Sequence, residues 1–352
     1  MNNAKILDIG DLSREELMET LRLLGSIRDN TNMFRSDCTG KSLITLFSEY
    51  DRNCESAFSA AMVRLGGASS NFPINQGESL KDNVLTASSR GDIIAVSHPL
   101  KGAALAASLY STVPIINAGD TAFSLPCKAL RDLATIWYEK NHISNMKIGF
   151  CGNIFKSPEV YALVKCLSVY NGNSFSFCNV QSGEIPQKIE TDLLTNGKKY
   201  EIVNSLGDMI EDLDVLYMTR VGSEEFSSDT EYSKALTRCI LDERLLLAAK
   251  PDLSVLHPFP RGEELPSYVD LDEKAKYFSQ LEYDVYAIMT FIFKMFKGRA
   301  GRTIKPDDLR STHGLFCGNS ECITSSEEYL PGLFFERGDD VVCSYCKNTV
   351  EK

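Results

Sequence analysis

The sequence has little that would take it to nucleic acid or to a membrane. Its 352 residues include 37 Lys and Arg against 48 Asp and Glu, a formal net charge of −11. Nucleic acid and anionic membranes both reward a basic face, so neither is expected as a partner. The N-terminal stretch MNNAKILDIGDLSREEL lacks the charged-then-apolar pattern of a secretory leader. No apolar run is long enough to span a bilayer. The most apolar late segment, residues 287–296, is half the length required and carries Lys294. Internal repeats and low-complexity tracts are also missing. These absences lead to the expectation of a cytoplasmic protein, in which the 11 cysteines are thiols or metal ligands rather than disulfides.

What is present is ordinary for a globular chain: 43% hydrophobic and 24% charged residues, with length for two or three domains. Ser13 and Glu16 form a capping box, because hydroxyl and carboxylate can each satisfy an amide left free at a helix start. Leu17, Leu21, Leu24 and Ile27 then share one helical face, as in plain core packing. Short apolar runs at 92–97, 113–117, 147–152, 174–179, 215–219 and 254–256 read as strands. They alternate with helical patterns at 56–65, 126–139, 158–169 and 234–249, and 281–296 reads as a closing helix. Such alternation predicts an α/β protein with doubly wound parallel sheets covered on both faces. A polar, basic linker at 297–305 follows.

Four cysteines give the most specific local signal. Cys317 and Cys322 are separated by four residues, and Cys343 and Cys346 by two, with twenty residues between the pairs. Tetrahedral zinc takes four thiolates from two such knuckles, and a segment this short has too little core to fold without a staple. The expected cofactor is therefore structural Zn2+, since four thiolates leave no open position for catalysis. Cys38, Cys54, Cys127, Cys151, Cys166, Cys178 and Cys239 have no ligand spacing and read as core thiols.

Several motifs carry a family resemblance. They are Ala57-Phe58-Ser59-Ala60-Ala61-Met62-Val63-Arg64-Leu65-Gly66, Gly77-Glu78-Ser79-Leu80-Lys81-Asp82, Ser97-His98-Pro99, Ile116-Asn117-Ala118-Gly119-Asp120, Leu216-Tyr217-Met218-Thr219-Arg220 and His257-Pro258-Phe259-Pro260-Arg261. In order and spacing the chain resembles the aspartate carbamoyltransferases of pyrimidine biosynthesis, and CGNSEC…CSYC resembles the zinc domain of their bacterial regulatory chain. The resemblance implies the aspartate/ornithine carbamoyltransferase fold with a small C-terminal β-rich zinc domain. Residues 1–135 would be a carbamoyl-phosphate domain joined by a closing helix at about 280–297. Residues 136–279 would be an aspartate domain, and 298–352 linker and zinc domain. It also implies a homo-oligomer, a trimer or dimer of trimers, with sites shared between neighbours. No room remains for the regulatory chain's nucleotide-binding domain.

The same resemblance makes the substitutions visible. The family's phosphate loop, Ser-Thr-Arg-Thr-Arg, is replaced by Asp51-Arg52-Asn53-Cys54-Glu55. The Lys lent by a neighbouring subunit is Gln76, and the Arg before His-Pro is Ser97. The motif His-Pro-Thr-Gln is Leu125-Pro126-Cys127-Lys128. Pro158 stands where an aspartate-binding Arg would be, and Gly222 where a Gln would follow Arg220. Arg52, His98, Lys128, Arg220, His257 and Pro258 remain as candidates for the old cleft. Lys156 reads as a surface residue, and Cys54 or Cys127 with His98 as a minor nucleophile candidate. The expectation is a non-catalytic structural or regulatory homologue, with an active paralogue as partner. The alternatives are an enzyme of altered substrate, or residual carbamoyl transfer through a shifted Arg52.

Overall fold

A computed structural model describes residues 5–47, 52–74, 77–120, 125–181, 183–297, 310–311, 315–338 and 340–350. The chain forms two compact units, 1–127 with 284–352, and 128–283.

In the first unit, β1 (Lys5–Ile6) is followed by α1 (Arg14–Asp29). Ser13 and Glu16 form the expected box: Glu16 N donates to the Ser13 hydroxyl at 3.2 Å and Ser13 N to the Glu16 carboxylate at 2.7 Å. Leu17, Leu21, Leu24 and Ile27 are buried as the periodicity required. Then come β2 (Ser42–Phe47), α2 (Arg52–Arg64), β3 (Ala68–Asn71), α3 (Leu80–Ser88), β4 (Ile93–Ser97), α4 (Ala103–Tyr110) and β5 (Ile115–Gly119); α5 (Pro126–Lys140) starts here and from Lys128 belongs to the second unit. Strand order is β1-β5-β4-β2-β3, all parallel. Leu43, Leu46, Ile94 and Val96 are fully buried, as in a sheet covered on both faces.

The second unit holds β6 (Lys147–Gly152), α6 (Pro158–Ser168), β7 (Ser174–Asn179), α7 (Gln187–Thr195), β8 (Lys199–Ile202), β9 (Val215–Met218), α8 (Asp229–Cys239), α9 (Glu243–Ala248) and β10 (Ser254–Leu256). The order β10-β9-β6-β7-β8 is again parallel throughout. The single helix expected over 234–249 is a correction: it is two. Ile240 is extended, its N–H closing α8 on Leu236 O, and Asp242 caps α9 by accepting from Leu245 N at 2.8 Å. The apolar pattern runs through the break because Leu241 is also buried, so periodicity alone could not show it. The helix α10 (Tyr277–Phe296) closes the α/β part and begins four residues before the expected start.

Beyond it lies an antiparallel sheet, β11 (Arg310–Ser311), β12 (Leu333–Arg337), β13 (Asp340–Cys343) and β14 (Thr349–Val350). This cysteine module packs into the first unit. Ile323, Leu333, Phe334 and Tyr345 share a core cluster with Leu80, Val84, Ala104 and Ala107. The linker expected at 297–305 falls, apart from Lys297, outside the described residues. No described helix is long and apolar enough to cross a membrane.

Candidate functional site

The four C-terminal cysteines converge. Their sulfurs all lie within 4.8 Å of one another, with Cys317 to Cys346 at 3.5 Å and Cys322 to Cys343 at 3.9 Å. Sulfurs about 2.3 Å from a tetrahedral centre would be about 3.8 Å apart, so the set fits a zinc-sized ion. The crowding also shows in their acidity. The Cys343 thiol is driven far up, first by hydrogen bonding with Cys322 and Cys346 and then by burial. Cys346 is driven far down by hydrogen bonds from Cys322 and Cys343. Four like charges cannot share so small a space without a cation.

The module is tied to the sheet domain by its backbone and by side chains. Lys101 N donates to Glu321 O at 2.8 Å and Ile323 N to Lys101 O at 2.9 Å, a parallel bridge. Glu327 accepts from Leu80 N at 2.9 Å, and the Tyr329 hydroxyl from Lys81 N at 2.9 Å. A carboxylate is thereby set at the amino end of α3, where the helix dipole favours it.

The described residues at the positions singled out in the sequence make local structural contacts. Asp51 and Gln76 lie outside the described residues, as does the side chain of Arg52, the first residue of α2. Asn53 is exposed, and Cys54 is buried with its thiol 3.6 Å from Ala118 O. Glu55 sits in the first turn of α2, so a helix start suited to binding an anion carries its own carboxylate. Ser97 ends β4 half-buried. His98 N donates to Gly119 O at 2.8 Å, while its Nδ1 accepts from Leu100 N at 3.1 Å. Leu125 and Cys127 are buried.

In the second unit the remaining cations are matched by carboxylates. Lys128 meets Glu159 at 3.1 Å. Burial raises the Glu159 pKa, but the charge of Lys128 and hydrogen bonds outweigh this and hold it below the usual value. Pro158 is the first residue of α6, capped by Ser157, whose hydroxyl accepts from Val160 N at 3.3 Å; Pro is favoured there because it has no N–H to leave unsatisfied. Arg220 is exposed and held two-pronged by Glu224 at 2.5 and 3.2 Å. A Cβ on Gly222 would lie 2.4 Å from that carboxylate, so a larger residue would have to displace it. Lys156 is exposed, 3.7 Å from Glu225. His257 is buried: its Nδ1 accepts from Phe259 N at 3.0 Å, which leaves Nε2 to donate to Glu264 at 3.1 Å. Pro258 is half-buried in the turn that follows.

Spacing did not reveal a second sulfur cluster. Cys151, Cys178 and Cys239 are buried with sulfurs within 4.8 Å of one another. Cys151 and Cys178 are register partners on β6 and β7, and Cys239 ends α8. Hydrogen bonds from Cys151 and Cys239 lower the Cys178 thiol to about 4. Strand register and the packing of α8 bring these residues together, and one sequence displays neither.

Two parallel α/β units in this order define a carbamoyltransferase-type fold. Residues 4–138 match the carbamoyl-P binding domain of aspartate/ornithine carbamoyltransferase, and 144–295 match the Asp/Orn binding domain. The chain belongs to the aspartate/ornithine carbamoyltransferase family. It is 38% identical over 296 residues to an aspartate carbamoyltransferase catalytic subunit of Clostridium kluyveri, covering 82% of this chain and 97% of the relative. The Finegoldia magna catalytic subunit is 37% identical over 301 residues, with 84% and 98% covered. Among solved structures, the catalytic subunit of M. jannaschii aspartate transcarbamoylase superposes with a TM-score of 0.79 at 33% identity, covering 85% and 99%. The Trypanosoma cruzi enzyme in complex with N-(phosphonacetyl)-L-aspartic acid gives 0.77 at 26% identity, covering 86% and 97%.

Proposed function

We propose that this chain is a non-catalytic structural or regulatory member of its family, working in the cytoplasm in a trimeric assembly, alone or with an active paralogue. The observation that carries this reading is that, against the family pattern, Asp51 stands for a Ser, Leu125 for the carbonyl-polarising His, and Asn53, Glu55, Gln76, Ser97 and Pro158 for cationic donors. Carbamoyl transfer develops negative charge on a phosphate leaving group and on a carbonyl oxygen, and each missing donor costs about 3 kcal/mol of transition-state stabilisation. Losing several such donors removes most of an enzymatic acceleration of roughly 8–23 kcal/mol, even though such losses do not add simply. Lys128 and Arg220 do not restore the field, because Glu159 and Glu224 offset their charge.

The C-terminal cysteines act in this reading as a structural zinc site that fixes the last sheet onto the first unit. Zinc would be held by Cys317, Cys322, Cys343 and Cys346, and would supply crosslinking rather than chemistry.

The test is direct. Purified full chain should give no turnover of carbamoyl phosphate and aspartate above background, and N-(phosphonacetyl)-L-aspartic acid should not raise its melting temperature. Turnover at a normal enzymatic rate would sink the proposal, and strong protection by the analogue would favour residual activity instead. Zinc removal should loosen the oligomer; an unchanged sedimentation profile after verified zinc loss would contradict the structural role.

A further inference from the structure

We propose that Cys151, Cys178 and Cys239 form a second metal site, a three-sulfur pocket for a soft d10 cation of the Cu(I) kind. Softness selects the ion: thiolates favour Cu(I), zinc and iron–sulfur clusters over hard cations. The donor count then separates the candidates. Structural zinc takes four ligands, and among the described residues no fourth Cys, His, Asp or Glu side chain joins these three.

The distances suit a trigonal centre. Three sulfurs in a plane at about 2.3 Å from a metal lie about 4.0 Å apart, taking the thiolate bond length of zinc as the guide. Cys178 and Cys239 are 3.9 Å apart, and no pair exceeds 4.8 Å. Two of the three sit on adjacent parallel strands one residue before their carboxyl ends, the end at which α/β sheets place their ligands. The pocket is dry, which protects a cation that would disproportionate in water and be oxidised by dioxygen: all three cysteines are fully buried. Excess negative charge is met by Arg238, whose guanidinium is pinned beside the cluster on Asn204 O at 2.6 Å and Asn179 O at 3.2 Å.

The experiment uses full-length protein already loaded with zinc, titrated anaerobically with Cu(I) held by a chromophoric chelator. We expect one equivalent of Cu(I) to bind while zinc content stays constant, and X-ray absorption to show three sulfurs around copper. Cys178→Ala and Cys239→Ala, checked for folding by circular dichroism, should each lose that equivalent and keep zinc. The proposal is overturned by unchanged copper uptake in either folded variant, or by zinc released in step with copper bound. Should both variants unfold, the wild-type coordination number decides: two or four sulfurs overturns the proposal and three upholds it.

Discussion

Gly102 lies close against Tyr345 of the cysteine module, and Gly102→Ala tests that junction. The residue caps α4 with φ of +85°, and a Cβ there would lie 2.6 Å from Tyr345 Cβ and 2.7 Å from Tyr345 backbone atoms. Tyr345 cannot swing aside cheaply, since it is buried and its hydroxyl donates to Pro331 O at 3.0 Å. Two penalties therefore combine. A left-handed conformation costs an alanine about 1–2 kcal/mol, and an overpacked contact adds about 1–3 kcal/mol. Gly40 separates them, because its φ is +75° and a Cβ would meet nothing within 4 Å. Gly40→Ala should therefore cost only the conformational part, and Gly102→Ala about 1–3 kcal/mol more. Urea unfolding of zinc-saturated protein measures both. Hydrogen exchange should also rise in β13 and around Tyr345 for Gly102→Ala alone. Equal costs, with unchanged exchange in the module, would refute the close packing of Tyr345 on Gly102.

Tyr217→Phe should cost about 1.5–3 kcal/mol, the range for hydrogen bonds to charged groups, because the buried Tyr217 hydroxyl donates to Asp132 at 2.8 Å; a loss too small to resolve by urea unfolding would show that Asp132 is satisfied by Gln280 and Arg131 alone. Glu264 gives a pH signature. Burial pushes its pKa up, but hydrogen bonds from His257, Gly262 N and Val221 N outweigh this and hold it below its ordinary value of 4.5. Its contribution is therefore fully present above pH 4.5 and lost as pH falls through the lower folded value. Glu264→Gln should accordingly be destabilising at neutral pH by about 1–3 kcal/mol and converge on the wild type in acid; a pH-independent penalty would contradict the linkage. Lys128→Met should weaken the second unit only modestly, by about 1 kcal/mol for a partly exposed pair, and both forms should stay at background turnover; turnover in the wild type that Lys128→Met abolishes would mean that Lys128 does catalytic work.

Much of the fold was legible because the signals were local. The capping box at Ser13, the buried face of α1 and the strands β6, β7 and β10 follow from patterns within a few residues. The convergence of the cysteine pairs was legible for a related reason: metal-ligand knuckles have a short spacing that chance seldom imitates. What escaped depended on distance. The core strand β2 was overlooked although Leu43, Ile44, Leu46 and Phe47 are all buried. Its short apolar run, SLITLF, has no clean alternation to distinguish a buried strand from buried helix. The break between α8 and α9 is set by a cap and an extended Ile240, not by hydrophobicity. The three-sulfur cluster requires β6, β7 and α8 to be in register first.

On the proposed reading, the replaced positions should follow a physical pattern that distinguishes release from damage. Loss of a ligand alone would leave awkward residues: an uncapped helix start, a buried unpaired charge, a crowded turn. Instead Glu55 complements the dipole of α2, Pro158 occupies the position in α6 that tolerates it best, and Gly222 clears space for the Glu224 carboxylate that holds Arg220. Each is a choice that helix termini and ion pairing favour in their own right. A catalytic site resists such choices, because it keeps like charges together at a cost in stability for the sake of the transition state. Placing cations at Glu55 or Pro158 should therefore lower stability. Glu55→Arg places a positive charge in the first turn of α2, against the helix dipole, and should cost about 0.5–1 kcal/mol. A stabilising Glu55→Arg would mean that α2 still waits for an anion, and would argue that the site has kept its original purpose.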